Sequence, residues 1–528
     1  MKHLLPFLSS LLLYLSFHPA DFGFLVWIAL VPLIVWAVRE TKGWRAFLLG
    51  WAAGWLFYAT SLWWITYTAP VFGPVGVGLY KGLYWGLFAA IVRWACRGDR
   101  SPRVPIVVAA PVLWLAFEFA RCYVMGGLPF VVVGYAAHRL DSFIQIADLG
   151  GIWLVTFVVV LVNATLARAF LGPVRDREYR WSAAASVVVL AASIVYGSVR
   201  IATIRLEDGL RIGIVQPNIP QDVKELSKED DPRVKLQIYR KHMELTRQVA
   251  ERKPDVIFWP EAALLYSLIV DGGQWDVDAY YLKAQAPAVE NGIPVVLGVQ
   301  IIDKPRGVPL TFETFGSTAT VTNSAVYFDG DGNLVARYDK RRLVHFSEYM
   351  PMGTGPIVAR YLNLRKVYEF RRGTEFTVMP HPKGDFAVTI CSENYYPEIS
   401  REFARKGVRT LVNISNDGWF RESAELDLQM SMARFRAIEN RVLYVRATNT
   451  GISALVDPLG RVTALVAGPD GKQKGVEGTL AEVGKVTTDG SPWRTMGDWA
   501  AWLCAGLSLG GLVALRMSRK IDSEKRQP

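Results

Sequence analysis

Eight apolar stretches of membrane-spanning length constrain this 528-residue chain more than any other feature. They lie near 4–20, 22–38, 46–66, 76–95, 104–122, 148–170 and 182–199, with the last near 497–516. A helix needs ~20 apolar residues, or slightly fewer, to cross a bilayer, where no water satisfies its backbone. Between the seventh and eighth stretches, charged residues, Gly, Pro and alternating β-branched residues return, as in a folded α/β domain. The expected organisation is a seven-helix membrane domain over 1–204, a polar domain over 205–490, and a closing helix with a short tail over 491–528. With 51% hydrophobic residues, 20% charged and 18 Trp, the chain is too apolar for disorder and too rich in Trp for an ordinary cytosolic enzyme.

The net charge of +11 invites a nucleic-acid reading until the basic residues are placed. Arg39, Lys42 and Arg45 follow the second stretch, Arg97, Arg100 and Arg103 the fourth, and Arg175, Arg177 and Arg180 the sixth. Arg516, Arg519, Lys520, Lys525 and Arg526 fill the tail, whereas the loops near His18–Asp21 and Thr66–Gly76 carry no Lys or Arg. This alternation puts the basic loops and the C-terminus in the cytoplasm and the polar domain on the opposite side, and leaves no nucleic-acid pattern. Arg121 and Arg139, around the 123–147 loop, break the rule weakly; with Gly126-Gly127-Leu128-Pro129, that loop either re-enters the membrane or faces the active site, against the reading of a plain surface loop. Lys2 before an apolar run resembles a secretory signal, but Ser16-Phe17-His18-Pro19-Ala20 offers no small-x-small cleavage site, so the first stretch is expected to remain a helix. Trp63, Trp64 and Tyr67 fit an interfacial belt better than a lipid entrance.

In the polar domain, Arg211–Gln216, Asp255–Pro260, Pro294–Gln300, Ser324–Phe328, Phe386–Ile390, Thr410–Ile414 and Val442–Arg446 read as strands, and 233–252, 276–290, 397–406 and 424–440 as helices. Gly330-Asp331-Gly332-Asn333 is a hairpin turn, since these residues tolerate positive φ.

Three strand ends carry reactive groups: Glu261 after Phe258-Trp259-Pro260, Lys340 after Arg337-Tyr338-Asp339, and Cys391 after Val388-Thr389-Ile390. A thiol attacks a carbonyl as thiolate, an ammonium favours that anion, and a carboxylate shuttles its proton. Of the four cysteines, Cys96, Cys122, Cys391 and Cys504, only Cys391 lies outside the apolar stretches, and none forms a CxxC or Cys/His cluster. No zinc site, other metal or disulfide framework is therefore expected, and a lone thiol in an oxidising compartment points to function.

At these residues the polar domain resembles the nitrilase (carbon-nitrogen hydrolase) superfamily over roughly 210–480, with Glu after Trp-Pro, Lys after a hairpin and Cys after a strand. Val215-Gln216-Pro217-Asn218-Ile219-Pro220-Gln221, Ser347-Glu348-Tyr349-Met350-Pro351, Ser415-Asn416-Asp417-Gly418-Trp419-Phe420 and Arg446-Ala447-Thr448-Asn449-Thr450-Gly451, with the flanking apolar stretches, are similar to the apolipoprotein N-acyltransferase family of bacterial envelopes. The resemblance implies about eight transmembrane helices and an extracytoplasmic α/β nitrilase-like αββα sandwich, in a multi-pass protein of the bacterial inner membrane whose catalytic domain is periplasmic. It implies Glu261 as general base, Lys340 as oxyanion stabiliser and Cys391 as the thioester-forming nucleophile, with Glu348 and Glu393 in support. The other reading of these two acids is salt bridges to Arg341 or Arg342. The implied partners are a phospholipid acyl donor, a diacylglyceryl-apolipoprotein acceptor and membrane lipid, with no cofactor.

Two departures bear on acceptor contacts or a lid: Ser392 stands where the family commonly has Tyr, and no Trp occurs near Lys224-Glu225. An apolar lid over the thioester is expected from Ala262–Ile269 or from residues 352–368, against ordinary packing on the sheet. Two other functions remain open at this level. One is a membrane-anchored nitrilase-type amidase acting on a small amide; the other is a transporter or sensor, which the few ionisable residues in the spans, Lys81, Arg93, Glu118 and Arg121, support little.

Overall fold

The computed structural model describes residues 2–68, 73–97, 104–226, 232–311, 318–350, 353–354 and 369–524. Arg100, Arg103, Lys525, Arg526 and nearly all of the 352–368 segment lie outside these. The chain forms two compact units, Met1–Ile204 with Ser491–Pro528, and Arg205–Gly490.

Among the described residues of the first unit, four helices are long and apolar enough to cross a membrane: Gly73–Cys96, Ile106–Tyr123, Ala147–Leu171 and Tyr179–Thr203. The other expected stretches hold helices Leu5–Ser16, Val31–Arg39, Gly43–Ser61 and Trp499–Glu524. The second stretch is broken because its backbone is bonded sideways: Asn163 donates to the carbonyl of Val26 and accepts from the N–H of Leu30, both at 2.9 Å, and Ser9 Oγ accepts from Leu33. Buried side chains replace the intrahelical bonds that the turn at 23–30 gives up. Helices Gly43–Ser61 and Gly73–Cys96 pack along glycines spaced four apart, and a Cβ on Gly82 would lie 2.7 Å from the backbone of Trp51 and Trp55.

The 123–147 loop is not a plain surface loop. Phe130 to Val133 and Tyr135 to Ala137 are buried. Arg121 donates to the carbonyls of Phe130 and Val131, Glu118 accepts from Val133 N–H, and Lys81 donates to Leu128. Glu118 and Arg121 also pair at 2.9 Å. The ionisable residues of these helices thus satisfy irregular backbone, the condition under which such backbone persists at depth. The aromatic cluster splits: Trp63 and Tyr67 are exposed, while Trp64 is buried edge-on against Phe130.

Among its described residues the second unit has fourteen strands: β1 (Glu207–Gln216), β2 (Val256–Phe258), β3 (Leu268–Asp271), β4 (Gln274–Trp275), β5 (Val295–Lys304), β6 (Thr320–Phe328), β7 (Leu334–Asp339), β8 (Val378–Met379), β9 (Phe386–Ile390), β10 (Thr410–Ser415), β11 (Leu443–Thr448), β12 (Ala454–Val456), β13 (Val462–Leu465) and β14 (Gly478–Val486). One sheet runs β14-β1-β2-β5-β6-β7, with β3 and β4 joined along the second half of β5; the other runs β13-β12-β11-β10-β9-β8. Side chains alternate as strand geometry demands. Ile257 and Trp259 enter a core with Met243 and Val249 of helix Pro232–Ala250 and Ala284 and Ala288 of helix Ala279–Asn291, while Phe258 meets Phe386 of the other sheet at 5.4 Å between ring centroids. Helices Pro397–Arg405 and Ala424–Asn440 accompany that second sheet, so the layers are helix, sheet, sheet, helix.

The hairpin forms between β6 and β7, where the Asp329 carboxylate accepts the N–H groups of Asp331 and Asn333 and Gly332 takes φ +86°. The Ala262–Ile269 segment is ordinary packing rather than a lid: Ala263, Leu264 and Leu268 are core residues, and the first two donate to Gly298 O.

Candidate active site

β1, β2 and β5 run parallel, as do β9, β10 and β11, and β7 points the same way as β5 through two antiparallel steps. The residues that follow β2, β7, β9 and β10 therefore gather at the carboxyl ends of the strands, where ligands bind in sheets of this kind. The structure brings Glu261, Lys340 and Cys391 together there. Glu261 Oε1 accepts from Asn323 Nδ2 at 2.8 Å and from Lys340 Nζ at 3.4 Å, while Oε2 accepts from the N–H of Asn416 at 2.9 Å. The Cys391 thiol interacts with the same carboxylate. Lys340 Nζ lies 2.9 Å from Glu348 Oε1, which also accepts from Asn323.

Cys391 closes β9 and opens the 3-10 turn Cys391–Tyr395 with φ +53°, a left-handed conformation costing on the order of 1–2 kcal/mol for a residue with a Cβ. Glu393 holds this bend. Its carboxylate accepts the N–H of Ile390 at 2.8 Å, of Arg341 at 2.7 Å and of Arg342 at 3.1 Å, plus the Tyr338 hydroxyl. Asn413 Nδ2 donates to Cys391 O. Glu348 and Glu393 thus bond to Lys340 and to backbone N–H groups, and neither forms a salt bridge with the Arg341 or Arg342 guanidinium.

Burial sets the proton positions. It pushes the Glu261 carboxyl up, but the Lys340 ammonium, the Asn323 amide and the Asn416 N–H outweigh it, and the group sits below its ordinary value of 4.5. Cys391 moves the other way, well above the usual thiol range, through burial and then the charge of Glu261, with Lys340 opposing. Burial works against the Lys340 cation, yet Glu348, Cys391 and Glu261 keep it raised and charged. The resting site is a thiol beside an ionised carboxylate and an ammonium, poised for proton removal as sulfur attacks a carbonyl carbon.

Behind it lies a polar cluster. Tyr395 Oη and Gln429 Nε2 each donate to Glu425 Oε1 at 2.6 Å, and burial followed by the charge of Asp417 raises the Glu425 carboxyl to about 8. The folded protein therefore retains a proton that the unfolded chain releases near 4.5. Stability from this group is complete below that value and falls as pH rises towards about 8, by roughly 1.4 kcal/mol per unit. Glu425→Gln is expected to flatten this fall, as read from unfolding midpoints of both proteins at mildly acidic and mildly alkaline pH; parallel curves would refute the assignment.

Residues 9–165 match the model of the apolipoprotein N-acyltransferase N-terminal domain, and residues 211–477 match carbon-nitrogen hydrolase. An apolipoprotein N-acyltransferase of Geobacter metallireducens is 30% identical over 526 residues, covering 97% of this chain and 95% of the relative. The chain belongs to the apolipoprotein N-acyltransferase family. A Bradyrhizobium diazoefficiens apolipoprotein N-acyltransferase is 29% identical over 85% of this chain and 80% of its own length. Among solved structures, Saccharomyces cerevisiae Nit3, of the nitrilase superfamily, aligns with 55% of this chain and 94% of its own at 17% identity and a TM-score of 0.38.

Against the apolipoprotein N-acyltransferase pattern, the two departures now have surroundings. Ser392 is buried beside the nucleophile, its hydroxyl donating to Arg342 O at 3.4 Å. Lys224 is buried and donates to Ala262 O at 3.3 Å; burial holds its ammonium down to about 8 against the pull of Glu261. Sequence reasoning missed Asn323, which bridges Glu261 and Glu348; its only trace is an amide in a run that is otherwise mostly apolar or hydroxylic. The Asn416 N–H was also missed as a contact to Glu261, although its string carried the family resemblance.

Proposed function

We propose that this protein transfers the sn-1 acyl chain of a phospholipid, through a thioester on Cys391, to the α-amine of diacylglyceryl-cysteine in apolipoproteins. The observation that carries this reading is the convergence of Glu261, Lys340 and Cys391, in a chain that matches apolipoprotein N-acyltransferases over nearly its whole length. In the first half, Glu261 takes the thiol proton as sulfur attacks the ester carbonyl, Lys340 stabilises the oxyanion, and the proton passes to the departing lysophospholipid hydroxyl. In the second, the amine attacks the thioester, Glu261 takes its proton, and sulfur leaves as the thiol. Glu348 and Glu393 support the site by fixing Lys340 and the nucleophile bend.

The proposed setting is a bacterial inner membrane crossed about eight times, with the 205–490 unit periplasmic and the C-terminus cytoplasmic; the alternation of basic loops supports it. Both substrates keep their acyl chains in the bilayer, and withdrawing them would cost ~0.8 kcal/mol per CH₂.

The test uses the full-length protein in detergent, a phospholipid with different sn-1 and sn-2 chains, and a diacylglyceryl-cysteine peptide. A peptide heavier by the sn-1 acyl group supports the proposal. Release of ammonia from small amides without phospholipid dependence, and no acylated peptide, would establish the amidase alternative instead.

A further inference from the structure

We propose that His18, Asp21 and His138 form a binding site for a divalent transition metal of the zinc type. The three residues lie in the membrane unit, outside the catalytic constellation, in two loops more than a hundred positions apart. Sequence spacing hides such a cluster, because it has neither the short repeat of a zinc ribbon nor a helix carrying both histidines.

The geometry points to a shared cation. His138 Nε2 lies 2.9 Å and His18 Nε2 3.8 Å from the same oxygen, Asp21 Oδ1. One ligand atom from each residue falls within 4.8 Å of the other two. A tetrahedral ion with bonds of ~2.0 Å needs its donors about 3.3 Å apart, so the observed separations bracket the required edge. The imidazole rings are tilted by 45° with centroids 5.4 Å apart, which lets both nitrogens converge without stacking.

The surroundings also fit an ion. A single ion placed among the three would join all three donor atoms at one point. The second oxygen of Asp21 is paired with Arg139, a partner that fixes the carboxylate's orientation as outer groups do around metal ligands. His18 retains 17% side-chain exposure and His138 11%, leaving an approach for the ion and room for a water as fourth ligand. Two imidazoles and one carboxylate suit zinc or cobalt and not calcium or magnesium, which prefer oxygen throughout. A bound ion would tie the loop after helix Leu5–Ser16 to the end of the buried 127–137 loop.

The test is equilibrium dialysis of chelator-stripped full-length protein in detergent against micromolar zinc, with cobalt absorption as the geometric readout. The wild type is expected to hold one zinc per chain, to show the intense visible bands of tetrahedral cobalt, and to unfold at a higher temperature with zinc present. His138→Gln keeps an amide donor for Asp21 but no imidazole, and His18→Asn does the same on the other side; each should lose binding by tenfold or more and lose the thermal shift. No bound zinc in the wild type, or equal zinc in the wild type and both variants, would overturn the site, leaving a His–Asp–His hydrogen-bond clasp.

Discussion

Cys391→Ala is expected to reduce acyl transfer by roughly 10⁴-fold or more, to the background rate, and to abolish any covalent acyl adduct on the protein. The argument rests on the bend at the end of β9. Alanine meets the same conformational cost at φ +53° as cysteine does, so the exchange removes the sulfur without altering the backbone preference. Glu393, Asn413 and the backbone donors that hold the bend are untouched. Intact-protein mass spectrometry after incubation with phospholipid reads the outcome. Wild type should gain one acyl mass that hydroxylamine or a diacylated lipopeptide amine removes, and the variant none. An adduct of equal yield on the variant would place the nucleophile elsewhere. Lys340 does not hold a preformed thiolate here, because burial and Glu261 raise the thiol further than the ammonium lowers it. The proton must therefore leave during attack, and a Glu261→Gln variant should share most of the defect while keeping the thiol alkylatable.

The largest effect on folding is expected at Arg446. Its guanidinium, fully buried on β11, donates to Asp417 Oδ2 at 2.7 Å, to Gln429 Oε1 at 2.6 Å and to Asn413 Oδ1 at 3.0 Å. Arg446→Met fills similar volume but strands the Asp417 carboxylate without its cation. Breaking a buried pair from one side costs about 3–5 kcal/mol, whereas replacing both partners together is often neutral. The single variant should unfold at a clearly lower temperature, and the Asp417→Asn, Arg446→Met double variant should recover much of the loss. Additive losses would show that the pair is not the unit of stability. Asn413 loses an anchor in the single variant and also bonds Cys391 O, so activity should fall even where the protein remains folded.

The strands of the catalytic unit were legible because burial imposes apolar runs of fixed length: β9 spans the same residues in sequence and structure, and β10 and β11 differ by one or two. Strands β3, β4, β8, β12 and β13, and the long β14, were missed, being short or mixed in polarity, with pairing set by distant partners. Glu261, Lys340 and Cys391 could be named because each follows closely on a strand. The contacts that tune them could not, since Asn323 and Asn416 reach Glu261 across 62 and 155 residues. Hydropathy overstated the regularity of the second apolar stretch for the same reason: Asn163, a single polar residue over 130 positions away, replaces its helix bonds.

The Glu118–Arg121 pair bears on how the chain enters its membrane. Moving one elementary charge through a potential of 100 mV costs about 2.3 kcal/mol. Glu118 and Arg121 stand one turn apart on the same helix, so they can neutralise each other as soon as that helix forms, before any loop is available to receive them. In the proposed orientation, Arg121 then reaches the outer side as half of a dipole. Such a pair crosses at less cost than a lone arginine, so Arg121 at the outer end of its helix need not reverse that orientation.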